Sequence, residues 1–312
     1  MKIFAEPKTL KKCLENICEG DTLFLRNGVY EEKLEILVDN INIIGESKDG
    51  VIIENKDFYH KIMPDYNECN TFRTYTVLIG GNNTTVENLT IKNLSTPSSK
   101  YGQAVALSVL GDNVVVKNVS LISAQDTLFT GPLPINLCER YKNFLPEYYL
   151  DNKPRHQVFY NCDIEGDVDF IFGGAQAYFY KCNIKSIKRT NNSNEVNGYI
   201  SAPSHKKSDR YGYLFYKCNL ISDAKNIYLS RPWRDYGTVA FIDNEYNLDI
   251  NPEGFNKWDG TERDKTARFY ESKSKYTDKR LPWVKILDEK EKEEYVKSFL
   301  KEFDPIILNN ID

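Results

Sequence analysis

Three aspartates stand in stretches that otherwise read as buried strands. Asp126 lies in "ISAQDTLF" (Ile122–Phe129), and Asp167 and Asp169 lie in "GDVDFIFG" (Gly166–Gly173). An acid in an apolar strand is either turn chemistry on a solvated face or a working carboxylate. Spacing helps to choose. Asp126 falls five positions after Leu121, the last apolar residue of "VKNVSL", and Asp169 falls five positions after Ile164, the last of "FYNCDI". If the two segments are neighbouring strands, their backbones run about 4.8 Å apart. Two carboxylates so close do not ionise freely together, and one is pushed toward its protonated form. Strand alternation puts Asp167, Asp169 and Ile171 on the outer face, with Val168 and Phe170 inward. Asp167 on its own reads as a turn acid.

The elements that must position this pair come from a repeat. "VENLTI" (Val86–Ile91), "VKNVSL" (Val116–Leu121), "FYNCDI" (Phe159–Ile164), "FYKCNI" (Phe179–Ile184) and "FYKCNL" (Phe215–Leu220) are variants of one pattern, followed by "VAFIDN" (Val239–Asn244). Each alternates apolar and polar residues as a strand does, with turns rich in Gly, Asn and Ser between copies. One strand per repeat, without intervening helical patterns, argues for a solenoid rather than βαβ units. The expected architecture is an all-β parallel β-helix with like side chains stacked in ladders. Cys162, Cys182 and Cys218 share a repeat position, so they belong to one ladder, as buried thiols or, in an oxidising compartment, with a Cys162–Cys182 disulfide.

Residues 1–312 are read as one domain. Thr130–His156 carries Pro132, Pro134, Pro146 and Pro154 and is a loop insertion of about 130–156 rather than an extra coil. Pro7–Gly20 shows a helical stripe at Leu10, Cys13, Leu14 and Ile17, closed by Gly20. Leu287–Phe303 forms a charged helical tail with Asp288 as its N-cap. Both helices are expected to seal the ends of the solenoid.

Composition narrows the function. The chain has 41% hydrophobic and 28% charged residues, 21 Tyr, and a net charge of −4, which excludes the electrostatic footprint of a nucleic-acid binder. No apolar run reaches the roughly 18 residues of a membrane helix, and the start of the chain is too short in apolar residues for a secretory signal. The chain as it stands is expected in the cytoplasm, or secreted if a leader has been removed. His60, His156 and His205 have neither metal nor triad spacing and read as surface or loop residues. No G-x-S-x-G elbow, Walker A or dinucleotide fingerprint is present. Carboxylates remain, with the amides of Gln103 and Gln125 and the arginine of "LSRPW" (Leu229–Trp233).

"GQAVAL" (Gly102–Leu107), "QDTLF" (Gln125–Phe129), "GDVDFIFG" and "RPW" (Arg231–Trp233) resemble the signature segments of pectin methylesterases. "NGVYEEKL" (Asn27–Leu34), "YISAPS" (Tyr199–Ser204), "GFNKWDG" (Gly254–Gly260) and "RLPWVKIL" (Arg280–Leu287) fit the same family, in order, from about Pro7 to Phe299. The resemblance implies a right-handed, single-stranded parallel β-helix of the pectin lyase-like kind. It implies an aspartyl esterase: Asp169 as nucleophile, Asp126 as acid then base, Gln125 and Gln103 as oxyanion donors. Arg231 would hold Asp169 ionised, Trp233 would face a sugar ring, and Phe172 would line the groove. It implies neither metal nor organic cofactor. The expected partner is pectin or a methylated oligogalacturonide, with no nucleic acid or membrane, acted on by a monomer. Ser230 stands where the family usually has Gly. Rival readings are a polygalacturonase or pectate lyase on the same fold, and a non-catalytic carbohydrate-binding β-helix. A glycosidase also uses paired carboxylates, but glutamines and an arginine beside the pair suit an oxyanion better, and clustered calcium-binding acids are absent from the sequence.

Overall fold

The computed structural model describes residues 1–65, 67–189, 195–309 and 311. The described strands form three parallel sheets of eleven, eight and seven strands. A typical coil runs through His156–Tyr160, Asp163–Gly166 and Val168–Gly173, one strand in each sheet. The chain is a parallel β-helix, as the repeats predicted, but with three strands to a coil rather than one to a repeat. The reason lies at the third position of each copy. Asn88, Asn118, Asn161, Lys181 and Lys217 all have left-handed backbone, with φ between 51° and 63°. A single left-handed residue turns the chain sharply, so each repeat is two short strands about a corner. Asn is favoured there, and its side chains ladder between coils: Asn118 Nδ2 donates to Asn88 Oδ1 at 2.8 Å.

Inside, like side chains stack. The rings of Phe159, Phe179, Phe215 and Phe241 follow one another at 4.8, 4.5 and 4.5 Å between centroids, nearly parallel. These distances match the spacing of neighbouring strands. Cys162, Cys182 and Cys218 form the expected ladder as free, buried thiols. Each donates to a carbonyl of the preceding coil at 3.3 Å, to Val116, Phe159 and Phe179 in turn.

The inserted stretch adds no coil strand, in line with its prolines. It carries two short helices that the loop reading omitted, Ile135–Tyr141 and Glu147–Leu150. Buried Tyr149 anchors them, its hydroxyl donating to Phe72 O at 2.8 Å. The tail helix spans Glu289–Leu300 with Asp288 as N-cap and a full capping box to Glu291. It does not seal an end. Phe299 and Phe303 pack on Val158, Tyr178 and Leu214, covering the outer face of the eleven-stranded sheet, whose outward residues are apolar and need cover. The N-terminal helix is shorter than its stripe, Leu10–Leu14. Beyond it Asp21 captures the Cys18 N–H at 2.9 Å, which bends the chain away from helix.

Of the histidines read as surface or loop residues, His156 departs from that reading. His60 is exposed beside Glu68, and His156 is half-buried in a strand. His205 does lie in a loop, yet it is only 2% exposed. Its Nε2 donates to Ala175 O at 2.8 Å and its Nδ1 accepts from Thr238 N at 3.1 Å, so both nitrogens are used by the neutral ring. Burial pushes it down from 6.5 to about 4. Between those values the unfolded chain binds a proton that the folded chain refuses, so this contribution to stability is whole above pH 6.5 and is lost as pH falls toward 4. His205→Gln keeps the donor to Ala175 and does not titrate there. Its melting temperature should fall less steeply than that of the parent between pH 6.5 and 4. Parallel pH–Tm curves would show that His205 is not the titrating group.

Candidate active site

The predicted site residues all stand along the seven-stranded sheet. Leu128 pairs with Ile171, so Asp126 and Asp169, each two residues earlier, occupy matching positions on adjacent coils. The 43-residue step between those coils is observed directly, Val116 pairing with Phe159. Gln103 bridges to Gln125 on the other side, and Arg231 follows the strand Ile227–Ser230 two coils beyond.

Both aspartates have left-handed backbone, φ 65° at Asp126 and 50° at Asp169. Asp tolerates that region better than most residues. Because Asp169 breaks the alternation, with a register irregularity between Val168 and Ile171, Phe170 and Ile171 both enter the core. Ile171 therefore does not share the outer face with Asp169, as strict alternation predicted. Phe172 turns outward and meets Phe129 and Trp233 at 5.0 and 5.6 Å. Gly166 permits the preceding corner, since a Cβ there would lie 2.3 Å from that of Phe170.

Asp126 and Asp169 are 7% and 8% exposed, enough to meet a ligand and too little for free hydration. Arg231 grips Asp169 with two bonds, Nε to Oδ1 at 2.8 Å and Nη2 to Oδ2 at 2.7 Å. Among the described residues no cation bonds to Asp126. The two carboxyls are therefore unequal. Burial, then the charge of Asp169, pushes Asp126 well above the usual carboxylate range, against a weaker pull from Arg231. Burial pushes Asp169 up as well, but Arg231 opposes it through both charge and hydrogen bonds. Of the two, Asp126 is the one pushed further toward its protonated form.

These residues line one cavity of about 330 Å³ that holds Gln103, Gln125, Asp126, Asp169, Phe172, Arg231 and Trp233 together. Ser230, 0% exposed, bonds to Ser201 O at 3.0 Å, so its side chain fixes the strand end before Arg231 without entering the groove. Sequence reasoning assigned no role to Tyr199 and Trp258, whose rings flank the Arg231 guanidinium at 3.8 and 4.1 Å. Both lie in motif segments already singled out, "YISAPS" and "GFNKWDG", which was the available signal. Phe72 and Thr71 also line the cavity and stand in no motif. Asp167 is more than a turn acid: it is buried, accepts from Val168 N at 2.7 Å, and receives the hydroxyl of Ser98. That bond ties the segment leading into Gln103 to the strand that carries Asp169.

The groove and its carboxylate pair, set on stacked parallel coils, define a class of β-helix proteins with a buried acidic centre. The chain belongs to the pectinesterase family, whose members are carboxylic ester hydrolases: the Pectinesterase family model matches residues 7–132 and 147–303. Pectinesterase QRT1 of Arabidopsis thaliana is 31% identical over 89% of this chain and 67% of its own length. Pectinesterase A of Dickeya dadantii is 28% identical over 86% and 79%. The chain spans 64% of the length of a further Arabidopsis thaliana pectinesterase. Among solved structures, a pectin methylesterase in complex with a hexasaccharide superposes with a TM-score of 0.78 at 26% identity, over 96% of this chain and 94% of that one. Pectin methylesterase PemA from Erwinia chrysanthemi gives 0.77 at 25% identity, over the same shares.

The electrostatic coupling of the pair can be measured. Asp169→Asn removes a like charge and leaves Arg231 unneutralised beside Asp126. The Asp126 carboxyl, followed by carbon NMR of labelled aspartate, should titrate at lower pH in this variant than in the parent. An unchanged titration would mean that the two acids do not sense each other.

Proposed function

We propose that this protein is a pectin methylesterase, hydrolysing methyl esters of galacturonate units through an aspartyl acyl-enzyme. The observation that carries the reading is the asymmetry of the pair: Arg231 clamps one carboxylate, and the other, bonded to no cation among the described residues, is pushed toward its protonated form. Asp169 attacks the ester carbonyl carbon, and the negative charge passes to the carbonyl oxygen. The amides of Gln103 and Gln125, brought side by side by their bridge, donate to that oxyanion. As the tetrahedral centre collapses, the methoxy oxygen leaves with the proton of Asp126 as methanol, and Asp169 remains joined to the sugar as an anhydride. Asp126, now a carboxylate, takes a proton from water as that water adds to the acyl carbon. Collapse expels Asp169 as carboxylate and leaves Asp126 protonated, ready for the next ester.

Support comes also from the flat apolar surface of Phe172 and Trp233 beside the acids, which suits a sugar face. Two solved pectin methylesterase structures, each in complex with a hexasaccharide, support a carbohydrate substrate. The chain is read as a monomer needing no metal or organic cofactor.

Methanol release from highly esterified pectin, without shortening of the polymer, is the expected activity. Asp169→Asn and Asp169→Ala, each with an unaltered circular dichroism spectrum, should lose at least about a hundredfold in kcat/KM, roughly 2.7 kcal/mol of barrier or more. Undiminished turnover in the folded variants would remove Asp169 from the nucleophile's role. Chain scission in place of methanol would point to a glycosidase or lyase.

A further inference from the structure

One wall of the groove is built by residues that the family model leaves out. The unmatched stretch inside the family region is 133–146, and it contains the helix Ile135–Tyr141. Three of its residues, Leu137, Arg140 and Tyr141, line the cavity that holds the two aspartates. The helix is fixed in place: Leu137 is buried, Tyr141 meets Phe72 edge-on at 5.9 Å, and Asn152 donates to Leu133 O at its start.

Asn136 and Arg140 are four apart and so share one face of this helix. Asn136 Oδ1 accepts from Arg234 Nε at 3.1 Å, which brings Arg234 to the face that carries Arg140. Arg234 Nη1 donates to Trp233 O at 2.7 Å, and its guanidinium lies over the Trp233 ring at 4.6 Å. Neither contact supplies a negative charge. Arg140 is exposed, and among the described residues nothing hydrogen-bonds to it or pairs with its charge. The nearby Arg263 already meets Asp235 at 3.3 Å and Pro232 O at 3.0 Å. Burial, then the charge of Arg263, disfavours the charged form of Arg234; Asp235 opposes this and Arg140 adds to it, so cations outnumber anions around this guanidinium. Arg231, by contrast, is fully engaged by Asp169.

Two guanidinium groups with unmet donors thus border the cavity of a protein whose net charge is −4. A methyl ester offers them nothing but weak acceptors, whereas a uronate carboxylate offers two oxygens and a charge. We propose that Arg140 and Arg234 form a carboxylate-binding subsite that holds the free acid of a sugar unit neighbouring the ester to be cleaved. The protein therefore favours partly de-esterified galacturonate chains over fully esterified ones. This inference rests on the methylesterase reading for its substrate.

The test compares two oligogalacturonides of equal length, one fully methyl-esterified and one with a single ester among free acids. For the parent protein kcat/KM for methanol release should be at least about tenfold higher on the acid-rich oligomer. That advantage should shrink as salt is raised. In Arg140→Gln the advantage should fall at least about fivefold, through KM rather than kcat, and in Arg140→Glu it should disappear. Binding of unesterified tetragalacturonate, read by calorimetry without turnover, should weaken about tenfold in Arg140→Gln. Equal losses on both oligomers, with tetragalacturonate binding unchanged, would make Arg140 a packing residue and overturn the subsite. A parent protein that releases no methanol from either oligomer would overturn the esterase reading alone, since the calorimetric comparison still decides whether Arg140 binds a uronate.

Discussion

A carboxylate on a buried residue is costly unless a cation meets it, and at Asp169 that cation is Arg231. Much else is arranged around this one bond. The rings of Tyr199 and Trp258 pack on the guanidinium whose fork meets Asp169. The Ser230–Ser201 contacts, entirely buried, fix the strand end from which Arg231 departs. With the Arg231 charge committed to Asp169, Asp126 is left to feel chiefly burial and a neighbouring negative charge. One clamp thereby makes the two buried acids unequal.

The clamp reaches Asp169 only because coils stack in register. Asp169 and Arg231 are separated by 62 residues, yet the strand that carries Asp169 and the strand that ends just before Arg231 are separated in the sheet by a single intervening strand, Gly198–Pro203. Register is enforced inside by the phenylalanine stack and at the corners by the asparagine ladder, each of which matches like with like. A slip of one residue would send the stacked rings outward and the corner amides away from their partners. The rigidity of the site is thus a property of the whole solenoid.

The repeats made the solenoid legible, because stacked coils demand like residues at like positions and leave that demand in the sequence. The register of Asp126 and Asp169 was legible for the same reason. What alternation could not show was a change of backbone hand. Asn161 and Lys181 look like ordinary polar strand residues, yet their left-handed backbone turns one predicted strand into two, and Asp169 with φ 50° sends Ile171 into the core. Residues whose role depends on arrival from afar were hidden too. Phe72 reaches the cavity through the packing of the inserted helices, and Trp258 reaches Arg231 from 27 positions downstream. The tail helix read correctly as a helix and incorrectly as an end cap. Amphipathic patterning reports that a face is buried, not what buries it.

An inserted segment is tolerated here for a reason intrinsic to the architecture. Each coil touches only its neighbours, so a segment that leaves after Thr130 and returns at His156 disturbs no pairing provided both ends are held. They are held: Leu128–Thr130 pairs on to the next coil, and His156–Tyr160 pairs back to the previous one. The insertion can therefore vary in length and chemistry while the acids stay fixed beneath it. It leaves the coil directly after the strand that follows Asp126, and its Leu137, Arg140 and Tyr141 line the cavity that holds the two carboxyls. In this chain it carries Tyr141 and Arg140. The carboxyl pair resides in the coils and the variable wall in the loop between them, and the stacking that makes the first rigid leaves the second free to differ.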